Sequence, residues 1–94
     1  MLPLQRVLPG ALIDIVRRQP TTPEKVDFAW RTSVGPAIAR ATTVTLEADG
    51  TLLIQAADAH WQHEIQQSLG LLRSRLDTFL GDALVRVAFA QPRG

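Results

Sequence analysis

Two alternating runs of apolar residues flank the dipeptide Asp49-Gly50 and predict a β-hairpin over residues 42–57. The apolar rows are Val44, Leu46 and Ala48 before the turn, and Leu52, Ile54 and Ala56 after it. Asp-Gly is typical of a two-residue type I′ loop, in which both central residues have positive φ. The pattern also sets the register, because a slip of one residue would turn each apolar row to the wrong face. A lone hairpin is barely stable in water, so the rest of the chain is expected to cover its apolar face.

Apolar residues at helical spacing predict two helices before the hairpin. The first extends over 4–18, and its inner face is formed by Leu8, Ala11, Leu12 and Ile15. The second extends over 23–34 with Thr22 as N-cap, and its inner face is formed by Val26, Ala29, Trp30 and Ser33. Gly35-Pro36 ends this helix, because the residue before a proline disfavours the helical conformation. Pro36 then begins a short helix that reaches Arg40.

One long helix is predicted after the hairpin, over 59–80, with Asp58 as N-cap and Gly81 as the residue that ends it. Its apolar residues form a single stripe, made of Trp61, Ile65, Leu69, Leu72, Leu76 and Phe79. A final strand is predicted over 84–90. Its two faces are formed by Val85, Val87 and Phe89 on one side and by Leu84, Arg86 and Ala88 on the other.

The resulting element order is α-α-β-β-α-β, which defines an α+β fold. A chain of 94 residues is long enough for one domain, so we expect a single domain over 1–94. The simplest assembly is a three-stranded sheet with helices packed on one face and the last strand joined to an edge of the hairpin. If that strand is parallel to its neighbour, the crossover is expected to be right-handed. Leu53 and Leu84 are placed on the other, mixed face of the sheet.

Composition narrows the function classes only slightly. The net charge is +1, and the basic residues are nine arginines and Lys25. The chain contains no cysteine, which excludes disulfides and thiolate metal sites and is compatible with a reducing compartment. No apolar run approaches the ~18 residues of a membrane span, and no signal peptide is indicated. We therefore expect a cytoplasmic protein with no membrane partner.

No cluster of residues indicates catalytic chemistry. His60 and His63 lie three positions apart beside Glu64, a spacing that can chelate a metal, but the chain has no other histidine. A polar first helical turn is the simpler interpretation. No nucleotide-binding glycine motif occurs, and no serine follows a nucleophile-elbow pattern. We expect neither enzyme activity nor a metal or cofactor.

The arginines leave nucleic-acid binding open, because the guanidinium group suits phosphate contacts. The candidate residues are Arg17, Arg18, Arg31, Arg40, Arg73 and Arg75. Helix ends and solvated surface are the simpler explanation for most of them. A module of this kind would bind weakly, in a salt-sensitive way and with little sequence preference. A further alternative is an adaptor that oligomerises through a sheet edge or through the face that carries Leu53 and Leu84.

The order and spacing of several short motifs resemble the DciA family, formerly a domain of unknown function. The resemblance extends over about residues 12–89. It rests on Trp30, Val34-Gly35-Pro36, Ile38-Ala39, Thr42, Asp49-Gly50-Thr51-Leu52, Ile54, Trp61, Glu64-Ile65, Leu71-Leu72, Leu80-Gly81 and Val87-Ala88-Phe89. We interpret the following as a structural signature of that family: Trp30, Gly35, Pro36, Thr42, Gly50, Trp61 and Gly81.

The resemblance implies a bacterial KH-like domain, here without the long C-terminal extension that many members carry. It lacks the GXXG loop with which KH domains hold single strands. The resemblance also implies a role in DNA replication, because family members bind the replicative DnaB-type helicase and help to place it on DNA without being ATPases. The partners expected on this basis are the replicative helicase and single- or double-stranded DNA.

Overall fold

Helices precede and follow a β-hairpin in the computed structural model, which describes residues 9–92. The elements of the described residues are α1 (Gly10–Arg18), α2 (Pro23–Val34), α3 (Pro36–Arg40), β1 (Thr42–Leu46), β2 (Thr51–Ala56), α4 (Ala59–Gln67), α5 (Leu69–Leu80), a 3₁₀ turn (Gly81–Ala83) and β3 (Arg86–Phe89). The predicted α+β class is confirmed. The part of the first predicted helix that precedes Pro9, including Leu8, lies outside the described residues.

The three strands form one mixed sheet in the order β1-β2-β3. β1 and β2 are antiparallel, and the predicted register is confirmed, with Val44 opposite Ile54 and Leu46 opposite Leu52. β3 lies parallel to β2, with Val87 opposite Leu52. The last strand therefore joins an edge of the hairpin, as predicted, and β1 and β3 are the two edges of the sheet.

The hairpin turn differs from the predicted two-residue type I′ loop. The Gly50 N–H donates to the Glu47 carbonyl at 2.9 Å, and the Glu47 N–H donates to the Thr51 carbonyl at 2.8 Å. Gly50 has φ +88°, whereas no described residue other than glycine has positive φ. The loop is thus a three-residue type I turn that ends in a left-handed glycine. Asp49 favours this turn because its carboxylate accepts the Thr51 N–H at 3.0 Å.

The Asp49 carboxyl group makes the stability of the hairpin depend on pH. The hydroxyl and the backbone N–H of Thr51, with a further contribution from Arg86, hold the pKa of Asp49 below its usual value of 3.8. A carboxyl group whose pKa is lowered by folding stabilises the fold above the unfolded pKa, and this stabilisation is lost as pH falls through the folded pKa. We expect the free energy of unfolding to fall more steeply below about pH 4 in the wild type than in Asp49→Asn. Urea unfolding between pH 2 and 6 measures this difference, and parallel curves would contradict it.

The core lies between one face of the sheet and the helices. The predicted inner face of α2 is confirmed, because all four of its residues are buried. The inner face of β2 is also confirmed, with Leu52, Ile54 and Ala56 fully buried. From α4 and α5, the core receives Ile65, Leu72, Leu76, Phe79 and Leu80.

The predicted inner face of α1 was wrong. Ile15 is 55% exposed and Leu12 is 38% exposed, while Ile13 and Val16 pack against the core. Apolar residues between Ala11 and Val16 cover about 200° of the helix surface, so their period does not select the docked part. The docking is set by contacts from outside the helix, because the Lys25 ammonium donates to the Arg17 and Gln19 carbonyls at 2.9 and 2.8 Å.

The long helix predicted over 59–80 is two helices that meet at Ser68. The Ser68 N–H donates to the carbonyl of Ile65, three residues earlier, at 3.1 Å, and this 3₁₀ bond interrupts the α-helical ladder. Ser68 and the nearby Gly70 are weak helix formers, which lowers the cost of a break here. The apolar stripe continues across the break, so its spacing gave no sign of it.

Leu84 was placed on the wrong side of the sheet by the sequence pattern. It is 4% exposed and belongs to the core, whereas Val85 is exposed. The strand begins only at Arg86, after the 3₁₀ turn. Because residues 84 and 85 precede the strand, the alternation does not apply to them. The predicted contact surface formed by Leu53 and Leu84 is therefore not present.

Candidate interaction site

Two of the candidate arginines stabilise the fold through backbone carbonyls. Arg73 donates to the Val85 carbonyl at 2.7 Å and lies 3.6 Å from the Asp77 carboxylate. Arg75 donates to the Ser33 carbonyl at the end of α2, at 3.0 Å. Both bonds join α5 to a distant segment of the chain. Their guanidinium groups are therefore partly occupied before any phosphate approaches.

Arg17 and Arg18 lie at the C-terminal end of α1, where cations offset the helix dipole. The Arg17 guanidinium lies over Gly81, with its Nε 3.1 Å from the position that a Cβ on that glycine would occupy. Arg18 is exposed and lies 3.9 Å from the Asp14 carboxylate, one helical turn earlier. Lys25, which sequence reasoning did not select, completes this corner. Its burial, and then the charge of Arg17, lower the pKa of Lys25.

Arg31 and Arg40 are brought together. They line one depression of about 360 Å³ with Asp27, Pro36 and Ala39. The Arg31 Nε donates to the Asp27 carboxylate at 2.8 Å, and this bond raises the pKa of Arg31. Arg40 is exposed, and among the described residues it takes part in no hydrogen bond or ion pair through its guanidinium. The six candidates thus occupy four helices and form no continuous patch.

The structural signature residues lie at the points where the chain changes direction. Trp30 is 2% exposed, and its indole N–H donates to the Thr42 hydroxyl at 2.8 Å. That hydroxyl donates in turn to the Ile38 carbonyl at 2.7 Å, so one chain of bonds joins α2, α3 and β1. Gly35 has φ +83° and separates α2 from α3, which begins at Pro36.

The remaining signature residues lie in the second half of the fold. Gly81 has φ +55°, and its N–H closes α5 on the Asp77 carbonyl. Gly50 ends the hairpin turn. Trp61, in the first turn of α4, is half-buried and meets the ring of His60 edge-on, at a centroid distance of 5.8 Å or less. All these contacts support the backbone.

A groove that sequence reasoning missed lies between the start of α2 and β1. Its volume is about 420 Å³, and its lining residues are Thr21, Thr22, Pro23, Val26, Val44, Thr45, Leu46, Glu47, Ala48, Gly50 and Ala83. The hairpin pattern located β1, but the groove depends on how α2 crosses the sheet. That crossing is a tertiary feature with no local signal in the sequence.

Reactive side chains do not converge in the part of the chain that the structure describes. Within residues 9–92, no group of three or more His, Cys, Asp or Glu residues is placed to hold a metal ion. His63 lies 3.1 Å from the amide nitrogen of Gln67, one turn along α4. None of the described helices is long and apolar enough to cross a bilayer. The geometry is that of a small α+β domain with exposed polar and apolar surface.

Comparison with known proteins assigns this domain to a family. The chain matches the family described as "Dna[CI] antecedent, DciA" over residues 3–88. It therefore belongs to the DciA family, and its role is related to DNA replication and to the DnaB replicative helicase. No curated protein and no solved structure matches the chain.

Proposed function

We propose that this protein is a non-enzymatic accessory protein of DNA replication, which binds the replicative DnaB-type helicase and assists its placement on DNA. Membership of the DciA family over residues 3–88 is the observation that carries the proposal. The matched residues include every described helix and most of β3. The property shared by the family is therefore expected to reside in the folded domain.

The surface of the domain suits a binding role. Large apolar side chains are exposed on several elements, namely Leu12, Ile15, Phe28, Leu71 and Val85. Leu12 and Ile15 share one face of α1, and Phe28 and Val16 line a cleft of about 310 Å³ between α1 and α2. Exposed apolar groups at the mouth of a cleft are typical of surfaces that meet another protein.

A loading experiment tests the proposal. The replicative helicase of the same organism is mixed with circular single-stranded DNA coated with single-strand-binding protein, with and without this protein. Gel filtration then separates helicase bound to DNA from free helicase. We expect more helicase on DNA when the protein is present, and no ATP hydrolysis by the protein alone. Equal amounts of bound helicase in both mixtures would contradict assistance in loading.

DNA binding by the domain itself is a second candidate function. The depression that holds Arg31 and Arg40 supports it, because two guanidinium groups line the same exposed site. Arg40 is the better phosphate ligand of the two, since Arg31 is already bonded to Asp27. Arg73 and Arg75 are less suited, because each donates to a backbone carbonyl.

The salt dependence of binding separates these arginines. We expect the double variant Arg31→Gln with Arg40→Gln to reduce the slope of log K against log salt by about 2, one for each lost phosphate contact. Arg73→Gln serves as the matched control and is expected to leave the slope unchanged. Fluorescence anisotropy with a labelled single strand, between 50 and about 200 mM salt, measures both slopes. Equal slopes for the double variant and the wild type would remove this depression as the DNA site.

A further inference from the structure

The edge of the sheet at β1 is open. Residues of an antiparallel strand alternate between those whose N–H and C=O face the neighbouring strand and those whose groups face away. The Glu47 N–H bonds to the Thr51 carbonyl, so the odd-numbered residues of β1 face β2. The N–H and C=O groups of Val44 and Leu46 consequently face the open edge. Among the described residues, no backbone hydrogen bond outside the β1–β2 ladder involves either of them.

The groove between α2 and β1 runs beside this open edge. Its apolar lining is formed by Val26, Val44, Leu46, Ala48 and Ala83, and the start of α2 closes one side. Val44 and Leu46 are half-buried, so their side chains line the groove while their backbone groups face outward. A strand added at this edge would direct alternate side chains toward the groove, because side chains of a strand alternate between faces.

The charge beside the groove indicates what kind of strand fits. Glu47 lines the groove at its hairpin end and is exposed. Among the described residues, its carboxylate takes part in no ion pair, whereas the nearby Asp49 carboxylate accepts from Arg86 at 2.8 Å. A positively charged side chain in the added strand would complement Glu47, and a carboxylate there would be repelled.

We propose that the open edge of β1 binds an extended segment of the helicase. This segment pairs with Val44 and Leu46 as a fourth strand, directs an apolar side chain into the groove and places an arginine or lysine beside Glu47. The inference rests on the proposed function, because it names the surface through which the helicase is bound. It also predicts that the exposed apolar face of α1 is not required for binding.

Proline substitution at the two edges of the sheet tests the inference. Val44→Pro removes an N–H that faces the open edge and leaves the β1–β2 ladder intact. Val87→Pro is the matched control at the other edge, because the Arg86 and Ala90 N–H groups face β2 and that of Val87 faces away. We expect Val44→Pro to weaken helicase binding about tenfold or more and Val87→Pro to change it less than about twofold. Equal affinities for the two variants would overturn the inference.

A charge reversal tests the same surface without altering the backbone. Glu47→Lys is expected to weaken helicase binding by about fivefold or more, since it removes one partner of an ion pair and repels the other. Glu64→Lys, on the exposed face of α4, is the control and is expected to bind like the wild type. Equal binding by the two variants would remove Glu47 from the interface.

Hydrogen exchange of the unmodified protein provides a test that no folding defect can affect. We expect the Val44 and Leu46 amides to become protected when the helicase is added. Binding without protection at these amides would overturn the inference and leave the proposed function intact. Protection that grows with protein concentration alone would assign the edge to a second copy of this chain. A wild-type protein that does not bind the helicase at all would contradict the proposed function itself.

Discussion

Trp30→Ala is expected to lower the free energy of unfolding by about 3–5 kcal/mol. The indole is 2% exposed at the centre of the core, and its N–H donates to the buried Thr42 hydroxyl. Truncation would leave a cavity and an unpaired polar group between α2 and β1. A domain of this size has a total stability of roughly 5–10 kcal/mol, so the variant is expected to be close to unfolding.

Two further variants show whether the loss comes from this site. Trp30→Phe keeps most of the apolar volume and removes the indole N–H, so it isolates the contribution of the bond to Thr42. Leu71→Ala removes a side chain that is 57% exposed and is expected to cost less than about 0.5 kcal/mol. Urea unfolding of all three variants measures the differences. A similar loss for Trp30→Ala and Leu71→Ala would contradict the central position of Trp30.

Gly50→Ala is expected to destabilise the protein by about 2–4 kcal/mol, through backbone strain and overpacking together. Gly50 has φ +88°, which residues with a Cβ rarely adopt. A Cβ there would also lie 2.9 Å from the Val85 Cβ and 3.1 Å from the Ala83 carbonyl oxygen. The Gly50 carbonyl accepts the Val85 N–H at 2.8 Å, so a displaced turn would disturb the start of β3 as well.

Gly70→Ala is the matched control for this substitution. Gly70 lies within α5, and a Cβ there would meet no atom within 4 Å. Alanine is favoured over glycine in a helix by about 1 kcal/mol, so this variant is expected to be more stable than the wild type. Thermal melts of the two variants should therefore shift in opposite directions. Equal melting temperatures for Gly50→Ala and the wild type would show that the turn is not under this constraint.

The hairpin was the easiest part of the fold to predict, because its period of two residues permits only one register. Its turn was harder, since Asp-Gly occurs both in type I′ loops and in type I turns that end in a left-handed glycine. The Asp49 carboxylate distinguishes the two by accepting the Thr51 N–H, a bond that only the folded geometry displays.

The helices show where periodicity ceases to be informative. The inner face of α2 was predicted correctly because polar residues bound its apolar stripe. The apolar arc of α1 is so wide that its docked part depends on Lys25 and on neighbouring helices. The break at Ser68 leaves the apolar spacing unchanged, and a prediction based on spacing therefore joins α4 and α5.

The candidate site shows the same limit for charged residues. Arginine in the sequence identifies a potential phosphate ligand, but it does not reveal that Arg73 and Arg75 already donate to distant carbonyls. The groove beside β1 was not predictable either, because it arises where α2 crosses the sheet. Family motifs located the residues that shape the backbone, and the surface that meets a partner depends on their arrangement in space.

Complex formation with the replicative helicase tests the central claim most directly. Size-exclusion chromatography with light scattering is run on this protein, on the helicase of the same organism and on their mixture at low salt. The account predicts that the two proteins co-elute with a defined stoichiometry, and that Val44→Pro reduces the complex while Val87→Pro does not. Two separate peaks for the wild-type mixture would contradict the proposed helicase-binding function and shift the interpretation to DNA binding through Arg31 and Arg40.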